Sequence, residues 1–233
     1  MKYERWLQLG DPPSPILFYE RMSRAESRAF AGWFTETAPS RIEGLQRAIR
    51  SIPGFDSLLL DGTAGSFGGL GIWCRATIPM RWHTPEEVAR RVEAYIERCR
   101  LAGIPGDHKE YAAGPRLIYI DPELAASILA DIGTYIGETC RIQSPDKIAW
   151  KRDPSQYKRD VDFNAVVLHR AGNSFNPIAV PLAFFYRMMA DSAGDDVFQR
   201  AYKTCREKMS LDPWPEDIKV DSEGNPRAPN SEK

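Results

Sequence analysis

The stretch DPELAASILADIGTYIGETC, residues 121–140, decides how the rest of the chain is read. Asp121 offers a carboxylate to the free N–H groups of a helix start, and Pro122 brings a φ already suited to the first helical position. Leu124, Ile128, Leu129, Ile132, Tyr135, Ile136 and Cys140 then recur at helical spacing and make this the most apolar helix of the chain, so it should be central. Gly133 and Gly137 lie four apart on one side of it, where the missing side chains let another backbone approach. Asp131, Tyr135 and Glu138 share one face of the same helix.

Toward the N-terminus, Pro12, Pro13 and Pro15 fix φ and remove donors, so residues 1–18 read as an extended lead-in. Met22, Phe30, Trp33 and Phe34 predict a helix from Tyr19 to Thr37 that Pro39 ends. Ser40-Arg41-Ile42-Glu43 has the form of a capping box, which starts a short second helix striped by Ile42, Leu45 and Ile49 and closed by Pro53-Gly54. The glycine-rich run from Asp61 to Gly71 lacks both the Gly-Lys-Ser/Thr ending of a phosphate loop and the dinucleotide spacing. Phe67, Leu70, Trp73 or Cys74, and Thr77 or Ile78 instead predict a glycine-weakened helix. Thr84-Pro85-Glu86-Glu87 opens another, with Val88, Val92, Tyr95, Ile96 and Cys99 on its buried side, and Leu117 to Ile120 reads as a short strand.

Beyond Pro145 the period changes to that of strands, at Lys147 to Lys151, Val161 to His169 and Phe175 to Val180. The middle one alternates Val161, Phe163, Ala165 and Val167 on one side, and Ala171-Gly172-Asn173-Ser174 turns it into an antiparallel hairpin. Helical spacing returns over Pro181 to Met189 and Asp195 to Met209, while the proline- and acid-rich residues 212–233 read as a disordered tail. The expected architecture is α+β: a helix-rich N-terminal two-thirds packed on a small antiparallel sheet, followed by C-terminal helices, in one domain over residues 19–211.

Composition narrows the function classes. The 31 basic and 32 acidic side chains almost cancel, leaving no field to hold a polyanion. Lys151-Arg152-Asp153 and Lys158-Arg159-Asp160 pair each basic doublet with a carboxylate and read as a solvated loop, so no nucleic-acid partner is expected. Cys74, Cys99, Cys140 and Cys205 are scattered, without zinc-site spacing, and suit a reducing compartment; Cys99 and Cys140 fall on apolar stripes as core thiols. With no apolar run of signal-peptide or membrane-spanning length, the cytoplasm is the expected location and no membrane contact is expected. No metal or cofactor motif is present.

His83, His108 and His169 stand in unrelated contexts, and Ser66 lacks the nucleophile-elbow pattern. The candidate functional residues are therefore Asp131, Tyr135 and Glu138, with Trp150 and His169 on the strands that follow. A buried carboxylate beside a tyrosine can serve as an acid or base. The structural alternative has Glu138 bonded to backbone or to an arginine such as Arg141, fixing the helix packing; it weighs more, since no paired acid, metal ligand or histidine completes a catalyst.

Gly133-Thr134-Tyr135-Ile136-Gly137-Glu138 followed by Trp150, with Leu60-Asp61 and Trp73 earlier in the same order, resembles a pattern in uncharacterised bacterial proteins encoded near toxin and immunity genes. A serine-proline pair usual in those proteins after Leu-Asp is Gly62-Thr63-Ala64 here. The resemblance implies a bacterial origin and an α+β fold and supplies no active site. Composition and resemblance together lead to a protein-binding module, an immunity-type or accessory protein whose partner, a toxin among the candidates, it neutralises or regulates. The rival expectation is a small enzyme using Glu138 and Tyr135 as acid-base groups in an apolar pocket.

Overall fold

A proline sits in the middle of the longest helix, and its position on the surface explains why the helix survives. The computed structural model describes residues 23–82, 84–101, 117–119, 121–153, 165–181 and 196–211. The lead-in, the tail, residues 158–160, His83, His108 and most of the predicted Pro181 to Met189 helix lie outside these residues.

Helix α1 runs unbroken from Arg24 to Arg50 with Pro39 inside it. This corrects the expected break at Pro39. An interior proline costs about 3 kcal/mol, but Thr35, whose carbonyl it leaves unbonded, and Pro39 itself are both exposed, so water can take the freed acceptor. On the opposite side Phe30, Phe34, Ala38, Arg41, Leu45, Ala48 and Ile49 are buried at steps of three and four straight through the proline. Burying each large apolar side chain there contributes about 1.5–3 kcal/mol, which outweighs one missing bond. The capping box is at Ser23 and Glu26 rather than Ser40 and Glu43: Ser23 Oγ accepts the Glu26 N–H at 3.2 Å and Glu26 accepts the Ser23 N–H at 2.7 Å. The Ser40 hydroxyl donates instead to the Thr37 carbonyl.

The glycine-rich run forms helix α2, Ala64–Thr77, with Thr63 as its cap. Its glycines admit neighbours: a Cβ on Gly69 would collide with Leu58, and one on Gly68 would lie 3.2 Å from the Gln199 amide. Strand β1, Met80–Trp82, pairs antiparallel with β2, Leu117–Tyr119. Between them helix α3, Pro85–Leu101, starts on a reciprocal Thr84–Glu87 cap. Of its predicted apolar side only Cys99 is buried; Val88, Val92 and Tyr95 are half-buried and Ile96 is exposed, so α3 is peripheral.

Helix α4, Pro122–Ile142, is the central element as expected, capped by the Asp121 carboxylate. It packs against α1 and against helix α5, Val197–Lys208. Gly133 and Gly137 are its contact points with the sheet side. A Cβ on Gly133 would lie 2.5 Å from the Pro177 carbonyl oxygen, and one on Gly137 would fall inside the Trp150 indole.

The second sheet is antiparallel, in the order β3 (Ala149–Arg152), β4 (Val166–Arg170), β5 (Asn173–Phe175). Ala171 and Gly172, with φ of +47° and +91°, make the two-residue turn between the last two, a geometry that fits the strand twist and favours glycine. Three expectations are corrected. Val161 and Phe163 lie outside the described residues, and Ala165, Val166, Val167 and Leu168 are all buried, because both faces of β4 are covered where alternation assumed one. The strand at Phe175 ends there, since Asn176 Oδ1 accepts the N–H groups of Ile178 and Ala179 and turns the chain. Lys151 to Asp153 belong to a strand end and not a solvated loop: Asp153 is buried and its N–H bonds Ala165. The fold is α+β, and most of its buried apolar residues form one cluster shared by α1, α2, α4, α5 and the second sheet.

Candidate functional site

The last two turns of α4 form one wall of an open pocket of about 380 Å³. Ile42 of α1 and Leu60, Asp61 and Gly62 of the loop before α2 face Tyr135, Glu138, Thr139, Ile142 and Gln143 across it. The loop is pinned from both sides. Gln46 of α1 donates to the Leu58 carbonyl and accepts the Leu60 N–H, each at 2.8 Å. From α4 the Tyr135 hydroxyl accepts the Gly62 N–H at 2.6 Å. Gly62 has φ +80°, and any side chain on it would press on Thr139, its Cβ 2.9 Å from the threonine methyl.

Proton accounting assigns the Tyr135 hydroxyl. Ser66 donates its only hydroxyl proton to the Thr63 carbonyl at 2.8 Å, so in the 3.0 Å contact between Ser66 and Tyr135 the tyrosine is the donor. Tyr135 thus accepts from Gly62 and donates to Ser66. Burial pushes its pKa up, and burial likewise raises Tyr202, which stacks on Phe67 and accepts from Gln143. Tyrosines that hold their protons more tightly when folded contribute stability below an unfolded pKa of about 10 and lose it as pH rises through the folded value. Alkaline unfolding is therefore expected to accompany ionisation of Tyr135 and Tyr202 in an absorbance titration. Ordinary titration of both in the still-folded protein would contradict the assignment.

Glu138 is 7% exposed and accepts three donors. Its Oε1 takes the Trp150 indole N–H at 2.5 Å and Arg141 Nε at 2.9 Å, and its Oε2 takes Arg141 Nη2 at 2.8 Å. Gly137 makes this possible by leaving room for the indole directly beside the carboxylate. Trp150 also meets Phe34 edge to face at 4.9 Å, so the motif ties α4 to β3 and α1. Glu138→Gln keeps an acceptor for Trp150 but removes the charge facing Arg141. It is expected to cost about 1–3 kcal/mol in urea denaturation; parental stability would show that the network does not hold the fold.

The remaining predicted residues lie elsewhere. Asp131 is 1% exposed and forms a forked ion pair with Arg41 of α1, Nε to Oδ1 at 2.9 Å and Nη2 to Oδ2 at 2.5 Å. Half-buried His169 on β4 stands opposite Ala149 and Ser174 in the sheet. The face shared by Asp131, Tyr135 and Glu138 is thus divided among α1, the α2 start and β3, and of the predicted residues Tyr135 and Glu138 alone line the pocket. Asp61 joins them there. In the sequence Asp61 reads as the start of a glycine-rich run and as half of the Leu60-Asp61 pair of the resemblance, and neither reading marks it as a site residue. Gln143 and the Gln46 clamp carried no sequence signal.

All four cysteines are buried and unbridged, and burial pushes the Cys74 and Cys205 thiols well up, so neither is a thiolate nucleophile near neutral pH. Among the described residues no three His, Cys, Asp or Glu side chains converge as metal ligands, and no helix is long and apolar enough to cross a membrane. Comparison of the chain with protein-family models, curated proteins and solved structures found no match.

Proposed function

We propose that the chain is a cytoplasmic bacterial protein-binding module of the immunity or accessory type, which neutralises or regulates a partner, a toxin being one candidate. The observation that carries this reading is how the pocket divides its side chains. Tyr135 and Glu138, the acid-base candidates of the sequence, spend their hydrogen bonds on the Gly62 loop, Ser66, Trp150 and Arg141. The rim, by contrast, offers Ile142, an isoleucine 66% exposed beside Leu60 and Ile42. Exposed apolar side chains around a concave, polar-edged patch are what a docking surface requires. The resemblance of residues 133–138 and Trp150 to proteins encoded near toxin and immunity genes points the same way.

The rival reading, a small enzyme using Glu138 and Tyr135, has one observation in its favour: both line the same pocket. One experiment separates the two. Tagged parent, Ile142→Asp and Glu138→Gln chains are recovered from the native host. A partner bound by the parent should be lost from Ile142→Asp, whose melting temperature stays parental because the residue is exposed, and weakened in Glu138→Gln only as far as the fold is. A partner held equally by Ile142→Asp, or an activity lost in a fully stable Glu138→Gln chain, would overturn the reading.

A further inference from the structure

Resting on that docking reading, we infer that the pocket receives one cationic side chain of the partner protein, a lysine or arginine, its stem along Ile42, Leu60 and Ile142 and its charged head at Asp61. Charge sets the sign. The lining contains two carboxylates, Asp61 and Glu138, and no lysine, arginine or histidine. The Glu138 charge is matched by Arg141, which is not among the lining residues, whereas Asp61 makes no ion pair among the described residues. Asp61 Oδ1 accepts the Thr63 hydroxyl at 2.7 Å and the Thr63 N–H at 3.0 Å, and these bonds hold its carboxyl below the usual range, so it stays ionised at any physiological pH. An anionic group entering the pocket would meet that charge without a counter-ion.

Shape sets the stem. Three aliphatic side chains border the space, and lysine and arginine are the side chains that lay a hydrocarbon stem on apolar surface while keeping the head in polar surroundings. A neutral aliphatic residue would cover the same surface but leave the Asp61 carboxylate partly dehydrated with no counter-charge. A volume of about 380 Å³ is at the small end for ligand pockets and suits one side chain better than a nucleotide. The site is also built before anything binds: Gln46, Tyr135 and the Thr63–Asp61 bonds fix the loop, so little ordering is required on docking.

The test is an amide-resolved NMR titration of the full chain with N-acetyl methylamides of arginine, lysine, norleucine and glutamate, and with free butylamine. The cationic residues are expected to shift the Gly62, Thr139 and Gln143 signals and to bind about threefold to fivefold tighter than norleucine, the ratio one exposed ion pair supplies. That preference should shrink as salt rises. Asp61→Asn, which retains an oxygen for both Thr63 bonds, should abolish the preference while the chain stays folded, with a melting temperature lowered by a few degrees at most. Norleucine binding as tightly as arginine and lysine, or an unchanged preference in Asp61→Asn, would overturn the inference. Butylamine binding more tightly than the blocked residues would assign the pocket to a free amine and overturn the choice of a protein side chain. Should the cationic probes fail while Ile142→Asp still releases the partner, the docking reading stands and this inference alone falls.

Discussion

Gly133→Leu and Gly137→Leu are expected to destabilise the protein by at least about 3 kcal/mol each, the upper end for overpacking a filled core. At Gly133 the new Cβ would already stand 2.5 Å from the Pro177 oxygen and from the Ile178 Cα, backbone atoms that cannot rotate aside. At Gly137 it would overlap the Trp150 ring, which is held on its other side by Phe34 and at its nitrogen by Glu138. Displacing the ring would therefore break the Glu138 bond as well. Urea denaturation measures both variants, with Gly32→Leu as control, since a Cβ there meets nothing within 4 Å. Either variant within about 1 kcal/mol of the parent would show that α4 does not touch the sheet as closely as its two glycines allow.

The second large effect is expected at Arg41 and Asp131. Breaking a buried pair by removing one partner typically costs about 3–5 kcal/mol, and here both side chains are nearly inaccessible, at 4% and 1%. Asp131→Ala should fall in that range. The double change Arg41→Met with Asp131→Leu removes both charges and fills the space, so it should recover most of the loss. If the single and double variants are equally unstable, the pair matters for packing and not for its charge.

The sequence shows the ends and faces of α4, because Asp121, Pro122 and the apolar spacing from Leu124 to Cys140 all act locally. The Ala171-Gly172 turn is legible for the same reason: two residues carry the whole signal. Pro39 misleads because a proline announces its missing N–H but not which side of the helix it occupies, and the stripe from Phe30 to Ile49 had to be followed through it. Strand β1 has three residues, too few for a period, and its partner is β2, more than thirty positions away. Within the site, Glu138 was readable as an arginine partner because Arg141 is one turn along the same helix. Its bond to Trp150, the Arg41–Asp131 pair and the Gln46 clamp join residues on different elements, and helical spacing reports only which face a residue occupies, never what arrives there.

Glu138 serves the fold by holding the Trp150 indole against Gly137. A double-mutant cycle in urea denaturation with Glu138→Leu, Trp150→Phe and the double variant isolates that bond. An indole donor on a buried, charged acceptor predicts a coupling of about 1.5–3 kcal/mol. Additive losses, with no coupling between the two positions, would show that this bond does not hold the fold and would return Glu138 to the pocket as a candidate for chemistry.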